Sequence, residues 1–203
     1  MRTALIRYVA IGASDSVGVG ARDPVSGSWP ARVAALLPAG SVYRNVAVSG
    51  SLADQARVEQ LPLALRGQPT VVSIWLAVND LNAGATPAAH AFALGAIVDA
   101  LVRDTRARIF VGTVPDLRAV PAYAGSDQVA LIAQIRGYNA GIAALAARNG
   151  GRVIVVDLFA GSAELTSQIT LSDDGFHPSD AGYVLIAGRF ADAMRANGVP
   201  LTR

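Results

Sequence analysis

A short segment of glycine and serine holds the first residues whose chemistry suggests a reaction. It follows an apolar run that predicts a β-strand, and it reads Gly12-Ala13-Ser14-Asp15-Ser16-Val17-Gly18. Glycines on both sides of a serine allow a sharp turn and a close approach of a substrate to the backbone. A serine at a strand end can act as a nucleophile, provided that a base activates its hydroxyl. Without a base, the same segment is typical of an ordinary turn.

A base and a carboxylate occur together near the other end of the chain, in Asp174-Gly175-Phe176-His177-Pro178. Serine catalysis needs an imidazole in reach of the hydroxyl and a carboxylate that holds the imidazole in the right tautomer. An aspartate three residues before a histidine supplies both from one turn. The competing interpretation is a simple helix start, with Ser179 or Asp180 as its cap. The chain has one other histidine, His90, which we interpret as a solvated residue of a surface helix.

Composition excludes several other kinds of chemistry. The 203 residues include no cysteine, so disulfides, thiolate metal sites and a cysteine nucleophile are ruled out. All 17 cationic residues are arginine, which excludes a P-loop lysine, a Schiff-base lysine and a serine–lysine dyad. The net charge is +2, and the arginines are scattered singly. Because they form no basic cluster interleaved with aromatic residues, we predict no nucleic-acid partner.

Nothing in the sequence predicts a leader peptide or a membrane span. The segment from Met1 to Ala10 lacks a long apolar stretch followed by a small-residue cleavage site. The longest strongly apolar run, Val71 to Val78, is far shorter than the roughly 20 residues that a transmembrane helix needs. As given, the chain is expected to be soluble and cytoplasmic unless a leader has been trimmed. The sequence leaves its oligomeric state open.

Strand and helix patterns alternate along the chain. Apolar, β-branched runs predict strands at 3–11, 41–48, 70–78, 108–114 and 152–156. Helical periodicity predicts helices near 29–37, 51–65, 87–104, 127–148 and 179–196, with longer loops at 15–28 and 115–127. The alternation predicts one domain over residues 1–203, a three-layer α/β/α sandwich with a five-stranded parallel, flavodoxin-like sheet. Ligands of such a sheet bind beyond the carboxyl ends of its strands.

Two further segments follow predicted strands: Asn45-Val46-Ala47-Val48-Ser49-Gly50 and Ala77-Val78-Asn79-Asp80-Leu81. Each alone is more typical of a turn than of a site. Together with the Ser14 and His177 segments, and in this order, they resemble the four blocks of the SGNH hydrolase family, which is named for a Ser, a Gly, an Asn and a His. Ala13 stands where the family usually has Asp, and Ala77 where it has Gly. The Gly-x-Ser-x-Gly elbow of the α/β-hydrolase fold is absent from the sequence.

The resemblance implies roles for particular residues. Ser14 would be the nucleophile of a triad with Asp174 and His177, and the Ser14 N–H, the Gly50 N–H and the Asn79 amide would form the oxyanion hole. Substrate contacts are predicted for Asp15, Leu81, Leu117, Val120 and Tyr123. The last three lie in the loop at 115–127, which could equally pack against its own scaffold. The implied substrates are small-molecule carboxylic esters, with short to medium acyl chains favoured, cleaved through an acyl-enzyme intermediate without cofactor or metal.

Two other classes of protein fit part of the pattern. A catalytically silent binding module on the same fold is disfavoured, because the complete set of Ser, Gly, Asn, Asp and His would have little reason to occur together. A flavodoxin-like nucleotide or phosphate binder is supported only by Gly18-Val19-Gly20, which lacks the third glycine of the dinucleotide fingerprint. A fluorophosphonate probe separates the three classes, since only the enzyme is expected to be labelled stoichiometrically on one serine.

Overall fold

Five parallel strands form the centre of the computed structural model, which describes residues 5–202. Their order across the sheet is β2-β1-β3-β4-β5, and each neighbouring pair is parallel. The predicted flavodoxin-like sheet is therefore confirmed. Residues 3 and 4 of the first predicted strand lie outside the described part. The strands are β1 (Arg7–Gly12), β2 (Val42–Asn45), β3 (Val71–Trp75), β4 (Arg108–Gly112) and β5 (Val153–Val156).

Helices cover both faces of this sheet. In chain order they are α1 (Ser14–Val17), α2 (Pro24–Gly27), α3 (Trp29–Ala34), α4 (Ala53–Arg66), α5 (Val78–Asn82), α6 (Pro87–Asp104), α7 (Gln128–Arg148), α8 (Ser162–Leu165) and α9 (Asp180–Ala196). Helices α4, α6 and α7 pack together on one face, whereas α3 and α9 pack on the other. The predicted three-layer α/β/α arrangement is confirmed.

The strands are apolar on both sides because each face of the sheet is covered. In β1, Val9 and Ile11 join a core cluster that includes residues of α4 and α6, whereas Tyr8 and Ala10 join a second cluster that includes residues of α3 and α9. Successive side chains of a strand point to opposite faces, so one apolar run fills two cores. The buried hydroxyls of Tyr8 and Ser73 lie 2.8 Å apart and satisfy each other.

The long helices begin where the sequence supplies a side-chain cap. Thr86 accepts a hydrogen bond from the backbone of Ala89 at the start of α6. Asp127 caps α7, and Ser179 caps α9 by accepting from the N–H of Gly182. These caps satisfy backbone N–H groups that have no partner within the helix. Of the two residues considered as a cap for the last helix, Ser179 takes that position.

Within residues 5–202, α7 alone is long and apolar enough to cross a membrane by length and composition. One third of its most apolar window is buried inside the molecule. The helix packs against α6 and β5 through a stripe of buried residues, and core helices of globular proteins meet the same criterion. The stripe consists of Leu131, Ile135, Tyr138, Ile142 and Leu145.

Several segments differ from the predicted elements, among them the short helix α8, which was not predicted, and β2, which ends at Asn45 rather than at residue 48. The predicted loop at 15–28 contains the one-turn helix α2 and most of α1, which are too short to show a helical period. The predicted loop at 115–127 contains two 3₁₀ turns, Leu117–Ala119 and Pro121–Tyr123. The third strand ends at Trp75 rather than at residue 78, and α5 begins at Val78. Between them Ala77 has a φ of +104°, which an extended strand does not allow.

Replacing Ala77 with glycine is expected to raise the free energy of unfolding by up to about 1 kcal/mol. Relief of a left-handed backbone is worth roughly 1–3 kcal/mol. Against it stand the roughly 0.5–1 kcal/mol of extra entropy that glycine loses on folding and about 0.8 kcal/mol for the buried methyl group of Ala77. Urea denaturation measures the change. Ala140→Gly is the matched control in the middle of α7, where the backbone is helical and the residue is exposed, and it should destabilise by about 1 kcal/mol. If both variants lose stability alike, Ala77 is not strained.

Candidate active site

Ser14 lies at the carboxyl edge of the sheet, directly after β1. It is the first residue of α1, so its N–H has no partner within that helix. The residue is 9% exposed. A Cβ on Gly12 would collide with the side chain of Ser16, and Gly18 has a φ of +99° where α1 ends. Close packing therefore requires the first glycine of the segment, and backbone conformation requires the second.

His177 reaches Ser14 from the loop before α9. Its Nε2 lies 3.0 Å from Ser14 Oγ, and its Nδ1 lies 2.6 Å from Asp174 Oδ2. The other carboxylate oxygen, Asp174 Oδ1, accepts hydrogen bonds from Ser172 Oγ at 2.8 Å and from the N–H groups of Phe176 and His177 at 2.9 Å. One oxygen of Asp174 therefore holds the turn together, and the other orients the imidazole. The three residues predicted as a triad form one hydrogen-bonded chain.

The hydrogen bonds around Asp174 determine its charge. Burial raises the pKa of the carboxyl, but the hydrogen bonds from His177, Phe176 and Ser172 outweigh burial and hold the pKa well below its ordinary value. Asp174 is consequently an anion at neutral pH and can stabilise an imidazolium beside it. The rings of Phe176 and His177 pack in an edge-to-face arrangement, with centroids 4.7 Å apart. This contact adds to the hydrogen bonds that hold the imidazole.

Asn79 lies in α5, the short helix after β3, and Gly50 lies on the loop after β2. Asn79 lines the cavity beside Ser14, and its Nδ2 donates to the backbone oxygen of Ser51 at 3.2 Å. An amide nitrogen carries two N–H groups, so one remains for the cavity. Gly50 is exposed and has a φ of +79°, and a Cβ there would meet nothing within 4 Å. Its backbone conformation, not crowding, explains the glycine. Unlike Asn79, Gly50 does not itself line the cavity.

A mostly apolar cavity opens beside Ser14 and His177, with a volume of about 60 Å³. Asp15, Leu117 and Val120, all predicted to contact substrate, line it. Leu81 and Tyr123, predicted with them, lie instead in the adjoining apolar cluster, where the Tyr123 hydroxyl donates to Asn82 Oδ1 at 2.7 Å. The remaining apolar lining comes chiefly from the end of β3 and from the last third of the chain: Trp75, Leu76, Ala77, Val78, Pro115, Leu165, Leu171, Phe176, Pro178 and Ile186.

Asp15 adds a second carboxylate close to His177. Burial raises its pKa to about 6, although the hydrogen bond from Ser16 Oγ, at 2.9 Å, and the nearby His177 both lower it. The side chain therefore changes charge just below neutral pH. Unlike Asp174, it makes no hydrogen bond with the imidazole among the described contacts.

The variant Asp15→Asn is expected to become more stable than wild type, by its free energy of unfolding, as the pH rises from about 4 to 6. The pKa of Asp15 is about 6 when folded and about 3.9 in an unfolded chain. The folded state therefore binds more protons in this window, and wild type loses stability there as the pH rises. The gain is on the order of 1 kcal/mol per pH unit. Urea denaturation between pH 4 and 8 measures it, with Asp173→Asn as control. A pH-independent difference would contradict the prediction.

The interpretation of His90 as a solvated residue is wrong. The residue is 1% exposed, its ring packs against Tyr138 with centroids 4.8 Å apart, and its Nδ1 lies 3.4 Å from Asp80 Oδ1. Helix α6 is covered by both α4 and α7, and His90 precedes the buried Leu94 by four residues, so both lie on one face. That spacing was the signal available in the sequence.

Across residues 5–202, no three His, Cys, Asp or Glu side chains are placed to hold a metal ion.

A serine after the first strand and an Asp–His pair before the last helix, on a parallel sheet of order 2-1-3-4-5, define the fold class of the SGNH hydrolases. The chain belongs to the GDSL-like Lipase/Acylhydrolase family, whose model matches residues 10–185. The family predicted from the four blocks is confirmed. Membership of this family makes the chain a carboxylic ester hydrolase.

Solved structures of esterases share this fold. A catalytic mutant of the acetylxylan esterase Axe2 from Geobacillus stearothermophilus matches with a TM-score of 0.75 and 18% identity, over 100% of this chain and 99% of that one. The psychrotrophic esterase EstA from Pseudoalteromonas sp. has a TM-score of 0.73 and 17% identity, over 94% and 97%. A family 3 carbohydrate esterase from Clostridium thermocellum has a TM-score of 0.70 and 22% identity, over 95% and 96%. No curated protein sequence matches the chain significantly.

Proposed function

We propose that the protein hydrolyses carboxylic esters of short to medium acyl chains through an acyl-enzyme intermediate on Ser14. The observation that carries the proposal is the hydrogen-bonded chain from Asp174 through His177 to Ser14, which ends at an apolar cavity. A nucleophile, a base within 3.0 Å of it and a carboxylate that orients the base are the parts that acyl transfer requires.

In the proposed mechanism, His177 Nε2 accepts the Ser14 proton as Oγ attacks the ester carbonyl carbon. The Asp174 carboxylate stabilises the imidazolium that forms. The tetrahedral intermediate then collapses, the carbon–oxygen bond to the alcohol breaks, and His177 donates its proton to the departing alkoxide. Water attacks the acyl-enzyme with His177 again as base, which releases the carboxylic acid and restores Ser14. Every group needed comes from the chain, so we propose no cofactor.

The oxyanion of each tetrahedral intermediate needs hydrogen-bond donors. We assign this role to the N–H of Ser14, the N–H of Gly50 and the Nδ2 amide of Asn79. The amide is already oriented by the Ser51 oxygen, and a neutral amide donates without forming a competing ion pair with the substrate. Each such donor lowers the barrier by roughly 3 kcal/mol, which corresponds to about a hundredfold in rate.

The cavity favours a short acyl chain. Its volume of about 60 Å³ is a few times the roughly 10–15 Å³ needed by one water molecule on this measure. Leu117, Val120 and Phe176 give it an apolar wall, which suits an alkyl group and disfavours a charged one. Asp15 carries a negative charge above its pKa of about 6, so anionic substrates are disfavoured at neutral pH.

Hydrolysis of p-nitrophenyl esters from acetyl to decanoyl tests the proposal. We expect the highest kcat/KM for the shorter acyl groups and stoichiometric labelling of one serine by a fluorophosphonate. Phosphonate chemistry is a suitable probe because EstA, which shares the fold, has been crystallised inhibited by monoethylphosphonate. If the folded protein neither hydrolyses the esters nor reacts with the probe, the proposed esterase activity is refuted. Binding of a nucleotide in calorimetry by such a protein would then favour the nucleotide-binding alternative.

A further inference from the structure

Gln60 is a fully buried polar residue in the middle of α4, with 0% of its surface exposed. The buried face of this helix is otherwise apolar, with Ala53, Ala56, Leu61 and Ala64. Burial of an amide without partners costs several kcal/mol in an apolar surrounding. An amide at this position therefore needs hydrogen-bond partners that an apolar residue of similar size would not need.

The amide oxygen of Gln60 and both of its N–H groups form hydrogen bonds. Gln60 Oε1 accepts from the N–H of Gly12 at 3.0 Å, and Gln60 Nε2 donates to the Gly12 carbonyl, also at 3.0 Å. The second N–H of Nε2 donates to Ser51 Oγ at 3.0 Å. Ser51 Oγ donates onward to the Leu52 carbonyl at 3.2 Å. A glutamine amide has one acceptor oxygen and two N–H donors, and each finds a partner here.

These partners belong to the two segments that must meet for the proposed reaction. Gly12 is the last residue of β1 and precedes Ser14 by two residues. Ser51 directly follows Gly50, and its backbone oxygen orients Nδ2 of Asn79. Gln60 thus connects the strand that ends two residues before the nucleophile with the loop that contains Gly50 and orients Asn79, the two other proposed oxyanion donors. Its side chain does not line the cavity.

We propose that Gln60 is a positioning residue, which sets the distance between Ser14 and the oxyanion donors Gly50 and Asn79 by linking Gly12 to Ser51. The inference rests on the proposed function. Displacement of a catalytic group by about 1 Å can cost about a hundredfold in rate, so a rigid link between the nucleophile and its donors affects turnover. The donors act mainly on the transition state, so the link affects kcat more than KM.

The variants Gln60→Leu and Ser51→Ala test the link. Leucine fills similar space but leaves the Gly12 N–H without its partner, whereas Ser51→Ala removes only one hydroxyl. We expect kcat for p-nitrophenyl acetate to fall roughly tenfold to hundredfold in Gln60→Leu and by less in Ser51→Ala, with KM within about twofold of wild type. The double variant should lose less than the product of the single effects, because both changes remove the same hydrogen bond.

Leu145→Ala is the matched control for lost stability. Leu145 is buried in α7, a helix that packs mainly against α6 and β5, so this variant should lose stability yet keep its kcat at a temperature where it is folded. A kcat within twofold of wild type in either folded test variant, or a change confined to KM, overturns the positioning role. If Gln60→Leu does not fold, the kcat and KM of Ser51→Ala decide whether the positioning role holds. Wild type without turnover or fluorophosphonate labelling would instead refute the proposed function itself.

Discussion

Replacing Ser14 with alanine is expected to lower kcat/KM for an aryl ester roughly 10⁴-fold or more, the scale on which loss of a serine-triad member acts. Ser14 Oγ is the hydroxyl that lies 3.0 Å from His177 Nε2, so the variant lacks the atom that would form the acyl-enzyme. Any residual hydrolysis would come from the oxyanion donors and from substrate binding. Steady-state hydrolysis measures the loss, and mass spectrometry after fluorophosphonate treatment should find the variant unmodified.

Ser16→Ala is the matched control, because Ser16 lies two residues away in the same segment. Ser16 is fully buried, and its Oγ donates to Asp15 Oδ1 at 2.9 Å. A substrate cannot reach a hydroxyl that is enclosed in this way, so the variant should keep a substantial fraction of the activity and be labelled on Ser14. Labelling that persists in Ser14→Ala and maps to Ser16 would overturn the assignment of the nucleophile.

Asp174→Asn is expected to lower kcat by roughly 10⁴-fold while the protein stays folded. The asparagine oxygen can still accept the N–H groups of Phe176 and His177, so the turn is retained. Its NH₂ group, however, would face His177 Nδ1, which favours the tautomer with the proton on Nε2. That nitrogen could then no longer accept the proton of Ser14. The pH dependence of kcat and the melting temperature separate this loss of chemistry from unfolding.

Asp173→Asn is the control for the aspartate, since Asp173 is exposed and adjacent in sequence. It should change activity little. His177→Ala should cost far more activity than His90→Ala, whose main effect is expected on stability because His90 is buried. Should Asp173→Asn be the damaging change, or should His177→Ala keep near-normal turnover, the proposed triad would be wrong in that member.

The fold class and the candidate triad were predictable because they depend on local patterns. Apolar runs identify buried strands, and helical periods identify the long helices, wherever these lie in space. Once a parallel flavodoxin-like sheet is inferred, the carboxyl ends of its strands must share one edge. Ser14 and Asn79, which follow β1 and β3, are thereby placed near each other without knowledge of any contact. The one-turn helices escaped prediction, because four residues do not define a period.

Contacts made by packing were decided only by the tertiary structure. His90 and Gln60 are polar residues of helices, and composition favours solvent for both. His90 is buried because α6 is covered by two neighbouring helices. Gln60 is buried because α4 packs against β1, where its partner Gly12 lies 48 residues earlier in the chain. Tyr123 likewise packs beside the cavity rather than lining it, because its hydroxyl is held by Asn82.

Residue types and their order along the chain were sufficient to predict this family and the residues of its candidate site. The distance between Ser14 and His177, which are 163 residues apart, was not contained in any local pattern. It depends on how β1 and the loop before α9 pack over the same edge of the sheet, and on hydrogen bonds such as those of Asp174 that hold that loop. Local preferences are properties of a few neighbouring residues, whereas such distances result from the packing of the whole chain.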